Sequence, residues 1–177
     1  MVLAARSNTQ ATEDKMGEIN ASIGMNVSQL DFRWRCAIWM WLLLGLFVLR
    51  VVGQMLVAFF GVSFLPPMGE WSSGLMSYPI LLPVQWVIIA LLTAICVDVS
   101  HGRGVFARPS RRAGVLLARI SVIYFASMIV RYVITMTAHP ERRWLHGTIP
   151  IGFHMVLASY LFLFSRYHLL MAKSRDR

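Results

Sequence analysis

Charged side chains are scarce in this chain: Asp, Glu, Lys and Arg make up 14% of its 177 residues, against 57% hydrophobic. Soluble domains carry about 25% charge. Together with a mean hydropathy of +0.61, this deficit excludes an ordinary water-soluble fold and marks an integral membrane protein. Acids are the rarer sign, eight against 17 Lys and Arg, for a formal net charge of +9. In a soluble protein that balance would suggest nucleic acid. Here the basic residues flank hydrophobic segments and form no stripe interleaved with exposed aromatics, so no nucleic-acid partner is expected. Cysteine is limited to Cys36 and Cys96, both at the ends of apolar segments on one side. That excludes a disulfide framework and the paired thiols of a membrane thiol oxidase. No HExxH, CxxC, P-loop, GxGxxG or GxxxG pattern occurs. A chain of this length has room for one compact membrane domain and none for a separate soluble catalytic domain.

What is present is a set of long apolar runs. The first is built around Arg50, the single charge near the middle of a segment that exceeds the roughly 20 residues needed to cross a bilayer. Four spans are read at about residues 37–62, 80–97, 114–137 and 149–171, which predicts an all-α integral membrane protein with four transmembrane helices in one compact bundle. Residues 1–30 are polar and mixed in charge, without apolar periodicity, and predict a disordered, flexible cytoplasmic tail. The membrane domain then covers 31–172, and 173–177 form a basic cytoplasmic tail. Gly45, Gly53 and Gly61 fall on one i+4 row of the first span, where small residues allow a neighbouring helix to approach.

Counting basic residues close to the span ends orients the bundle. Nine lie on one side (Arg33, Arg35, Arg103, Arg108, Arg111, Arg112, Lys173, Arg175 and Arg177) and two, Arg142 and Arg143, on the other. The expectation is a multi-pass protein of a bacterial-type inner membrane with both termini cytoplasmic. Asp98 ends the second span at the unfavourable pole of the helix dipole. A structural ion cluster with Arg119 or Arg166, near the same face, is expected to hold it.

Polar residues recur at matching depth on every span. Gln54, Gln85, Arg131 and His154 each lie roughly 6 to 13 Å below the outer end of their own helix at 1.5 Å per residue, with Arg50 about one turn deeper. Two cations without an intramembrane carboxylate suit an anionic or acyl-headgroup ligand. Arg50, Gln54, Gln85, Arg131 and His154 are therefore the ligand-binding candidates, with Glu70 of the outer loop; the competing reading is a hydrogen-bond network that fixes packing. Glu70, His154 and Arg131 could also be assembled as acid/base partners, but their spacing is not diagnostic and no enzyme is expected.

The function this supports is a non-enzymatic accessory, binding or assembly component that works with membrane lipids, as a homo-oligomer or in a larger membrane complex. One alternative is a carrier or transporter subunit for an anionic or lipid-like ligand. The other is a redox protein holding haem or quinone. His154 and His168, about 21 Å apart along one helix face, are weak haem candidates because the first three spans supply no opposing histidine. No cofactor or metal is otherwise expected.

Overall fold

The computed structural model describes residues 2–71, 78–138 and 149–175, apart from the side chains of most residues before Val27 and those of Met68, Glu70 and Arg175. The elements are α1 (Val2–Phe60), the short α2 (Met68–Trp71), α3 (Tyr78–His101), α4 (Arg111–Ala138) and α5 (Ile149–Arg175). Four stretches are long and apolar enough to cross a membrane: Val27–Phe60, Tyr78–His101, Arg111–Ala138 and Ile149–Ser174, with mean hydropathies of 2.2, 2.5, 2.0 and 1.3. No strand occurs among the described residues. The fold is the all-α, four-span membrane architecture that the apolar runs imply.

The chain divides into two units, Met1–Arg35 and Cys36–Arg177. Residues 2–30, where a flexible tail is expected, belong to the first unit and fall within the range of α1.

Within the second unit the core joins α1, α3 and α5. Met40 and Leu44 of α1, Cys96 and Val99 of α3, and Tyr160 and Phe164 of α5 belong to one buried cluster. The Tyr160 hydroxyl donates to the Leu92 carbonyl at 2.7 Å and lies 3.2 Å from the Cys96 sulfur. Trp41 adds a bond from its indole N–H to Ser100 Oγ, 3.1 Å. Both cysteines are free and buried. Helix α4 packs against α5. Gly114 permits that approach, since a Cβ there would lie 2.9 Å from Leu169 Cγ. Outside this seam α4 is the least buried span, with 11% of its apolar window covered against 39% for α5. Hydroxyls along the spans turn back on their own helices, as Thr93 does to the Ile89 carbonyl (2.7 Å) and Ser165 to that of Phe162 (2.7 Å). Such bonds satisfy a polar side chain where no water is available.

The glycine row on α1 does not seat a helix. Gly45 has nothing within 4 Å of where a Cβ would be, and Gly61 lies beyond the helix end with φ of +56°. Its amide bonds the Val57 carbonyl at 3.2 Å, the left-handed C-terminal cap that favours glycine. Only Gly53 accepts a neighbour, and that neighbour is the Trp71 ring.

The α3–α4 loop is held at Asp98. Among the described residues no ion pair joins Asp98 to Arg119 or Arg166; both arginines are exposed, and Asp98 Oδ2 instead accepts the Phe106 amide at 3.0 Å. The Asp98 backbone carbonyl accepts the Arg103 amide at 3.2 Å. A carboxylate at a helix C-terminus needs donors, and the returning loop supplies an N–H at no cost in charge desolvation of a second side chain. The loop is further tied to α5 by Tyr167 Oη donating to the Ala107 carbonyl (2.9 Å) and by the Ser110 amide donating to His168 Nδ1 (3.2 Å).

Candidate functional site

The bonds that tie Trp41 to Ser100 and Arg50 to α2 lie at opposite ends of the bundle, which gives it a near face, carrying the α3–α4 loop, and a far face, carrying α2. The polar layer sits toward the far face. Arg50 is 8% exposed and points into the bundle. One guanidinium nitrogen, Nη2, donates to the Trp71 carbonyl at 2.9 Å, and Cζ lies 5.4 Å from the centroid of the Phe153 ring. Its Nε is buried and has no hydrogen-bond partner. A guanidinium against an aromatic face gains about 0.5–2 kcal/mol, well short of what removing a charge from water costs.

One turn further along α1, Gln54 is fully buried and accepts a bond from Gln85 Nε2 of α3 at 2.9 Å. Two facing carboxamides can exchange two bonds, but these make one. Gln54 Nε2 and Gln85 Oε1 are left buried without partners. The layer therefore contains two unused donors, on Arg50 and Gln54, and one unused acceptor, on Gln85. Each such group costs about 1–3 kcal/mol if nothing fills the vacancy.

Helix α2 closes the layer. Its Trp71 is buried, with Nε1 donating to the Pro66 carbonyl at 2.8 Å and its ring resting on Gly53, where a Cβ would come within 2.8 Å of the ring carbon Cη2. Trp71 and Phe153 are thus members of the site that sequence reasoning missed. Trp71 reads from sequence as an interfacial aromatic, and its carbonyl, the atom that holds Arg50, carries no side-chain signature.

On the α4–α5 side, His154 Nδ1 bonds the Tyr124 hydroxyl at 2.5 Å, and its ring lies within electrostatic reach of both Arg50 and Arg131. Arg131 is half-buried. Gln54 and Gln85 bond each other, Arg50, one turn away on α1, bonds the Trp71 carbonyl, and His154 feels the charge of both Arg50 and Arg131. The Glu70 side chain lies outside the described residues. The acids with described side chains are Asp31 and Asp98, neither in this layer, so no described carboxylate neutralises it.

Comparison with protein-family models, with curated proteins and with solved structures gives no match. Below the layer, α1, α4 and α5 part around an apolar cavity of about 630 Å³ that reaches Ala158 and Ile129. Ala158 is one helical turn from His154, and Ile129 lies two residues from Arg131. Its volume falls in the range of about 300–1,000 Å³ typical of small-molecule sites. His168, the other haem candidate, is 5% exposed and packs among Phe164 and Tyr167. Because its Nδ1 accepts the Ser110 amide, its proton resides on Nε2, and no lone pair remains there for a metal. Among the described residues no group of three or more His, Cys, Asp or Glu is arranged for an ion.

Proposed function

We propose that this protein is a non-enzymatic membrane component that binds an anionic amphiphile, with the acid group at Arg50 and Gln54 and the apolar part in the cavity beneath. The observation that carries this reading is the buried Arg50 guanidinium, which has an unused donor and no described carboxylate partner. A carboxylate or phosphate oxygen there would accept from Arg50 Nε and Gln54 Nε2 at once. Gln85 Oε1 would take a hydroxyl or water proton. His154, one turn from the cavity-lining Ala158, and Arg131 would add attraction for the acid group. The one hydroxyl–imidazole pair among the described residues of the layer, Tyr124 with His154, is a phenol beside a histidine, and no third described group orients it, so binding rather than turnover is the role the residues fit.

The test is Arg50→Leu in the full chain purified in detergent, with bound molecules extracted and identified by mass spectrometry. A truncated charge–acid contact of this kind costs about 2 kcal/mol or more, some thirtyfold in affinity. The wild-type protein should carry an anionic amphiphile and the variant should lose it, while its Tm stays level or rises with the loss of a buried charge. A fall in Tm with no change in bound molecules would assign the layer to packing instead. Glu70→Gln serves as the second arm: if Glu70 were the counter-charge, its loss would destabilise the fold by about 3–5 kcal/mol, and the ligand reading would fail.

We place the near face in the cytoplasm of a bacterial-type cell, on the nine-to-two bias of basic residues. Reporter fusions check this. An alkaline phosphatase fused in the α1–α3 connection should be active and one fused after Arg177 inactive, and the reverse pattern would invert the bundle.

A further inference from the structure

Roughly the first two and a half turns of α4 carry an arrangement that the far-face site does not use. Arg111, Arg112 and Arg119 surround a concavity of about 510 Å³ whose floor is Val115 and Leu116. At 100° per residue the five side chains fall within an arc of about 140°. All three arginines are exposed, as are Val115 and Leu116, the latter by 60%. Among the described residues none of the three arginines has an ion-pair partner.

We infer that this concavity binds the headgroup of an anionic phospholipid in the near-face leaflet, the phosphate between the guanidinium groups and the acyl chains against Val115 and Leu116. Placement comes first. The helix is 28 residues long, about 42 Å, against roughly 30 Å of hydrocarbon, so its opening turns stand in the headgroup layer. Electrostatics comes second. Arg111 and Arg112 occupy the first turn, where the helix dipole disfavours cations, and Arg119 adds like charge to the same face. An anion relieves both costs. The apolar floor decides the source of that anion. Free phosphate has no use for two exposed aliphatic side chains, whereas a phospholipid presents phosphate and hydrocarbon at this spacing, and guanidinium forks pair with phosphate oxygens bidentately.

The experiment uses the full chain in detergent, with binding followed by native mass spectrometry and by Tm on addition of phosphatidylglycerol, cardiolipin, phosphatidylcholine or inorganic phosphate. The two anionic lipids should bind and raise Tm; phosphatidylcholine and phosphate should not. Each Arg→Gln change should weaken anionic-lipid binding about fivefold, and the triple variant about a hundredfold. If the triple variant does not fold, Arg119→Gln alone carries the test, with Arg119→Lys expected to restore only part of the loss, since an ammonium keeps the charge but not the bidentate pairing. Equal response to phosphatidylcholine, or an unchanged preference for anionic lipid after substitution, would overturn the site. Full competition by phosphate would reassign it to a free anion. Arg50→Leu should leave this preference intact, so failure here and failure of the far-face reading are told apart.

Discussion

Replacing Tyr160 by alanine should lower the stability of the purified protein by about 3 kcal/mol, the low end of the range for deleting a buried aromatic ring. The low end applies because a span pulled from its neighbours still rests in hydrocarbon, so packing rather than transfer from water is what is lost. Tyr160 is 1% exposed and lies where α1, α3 and α5 meet. Its single hydroxyl proton goes to the Leu92 carbonyl, which makes the Cys96 thiol the donor of the neighbouring contact. Tyr160→Phe keeps the ring and removes both bonds, and should cost about 1 kcal/mol. Denaturant titration in detergent micelles compares the two. Equal losses would show that the hydroxyl, not the ring, holds the three helices together.

Gly104→Val is expected to rank second, at about 2–4 kcal/mol from backbone strain and a displaced hydrogen bond together. Gly104 has φ of +105°, a conformation that a β-branched residue adopts only under strain. A Cβ there would also overlap the Asp98 carboxylate, the acceptor of the Phe106 amide. Asp98 would have to turn away, and the loop through Ser110 would lose its hold on α3. Trypsin gives a direct readout because Arg103, followed by Gly104, lies beside that hold, whereas Arg108 precedes Pro109 and is resistant. Cleavage after Arg103 should accelerate in the variant, while Asp98→Ala should produce a smaller acceleration. Cleavage at the wild-type rate would mean that the contacts of Tyr167 and His168 with Ala107 and Ser110 suffice to keep the loop in place.

Much of the fold was readable because apolar runs of bilayer length leave few alternatives. Their ends were less so. The first helix stops at Phe60 because Gly61 takes a left-handed turn, and the second span runs to His101, past its expected end at 97, because Ser100 and His101 bond back to the carbonyls of Cys96 and Val97. Arg50, Gln54 and Gln85 stand out in the sequence as polar groups in hydrocarbon; all three are buried, and the two glutamines bond each other. The partners of Arg50 did not stand out. Trp71 contributes a main-chain oxygen, which any residue could have supplied, and Phe153 is one aromatic among many in apolar spans. Asp98 shows the complementary case. The conflict with the helix dipole was legible, but its resolution by a loop amide depends on the turns at Gly102 and Gly104, where φ is +66° and +105°, and not on charge.

Because the core joins α1 and α3 to α5, and α4 lies to one side against α5, the order of synthesis is not the order of assembly. While the chain emerges, α1 and α3 can pair through Gln54 and Gln85, but the surfaces of Met40 and Val99 that await Tyr160 and Phe164 stay open to lipid until the fourth span inserts. A ribosome that stalled in the α4–α5 connection would leave three inserted helices with no closed core. Such a product should be cleared by membrane proteases, so the fourth span sets the moment at which the protein becomes a folded object.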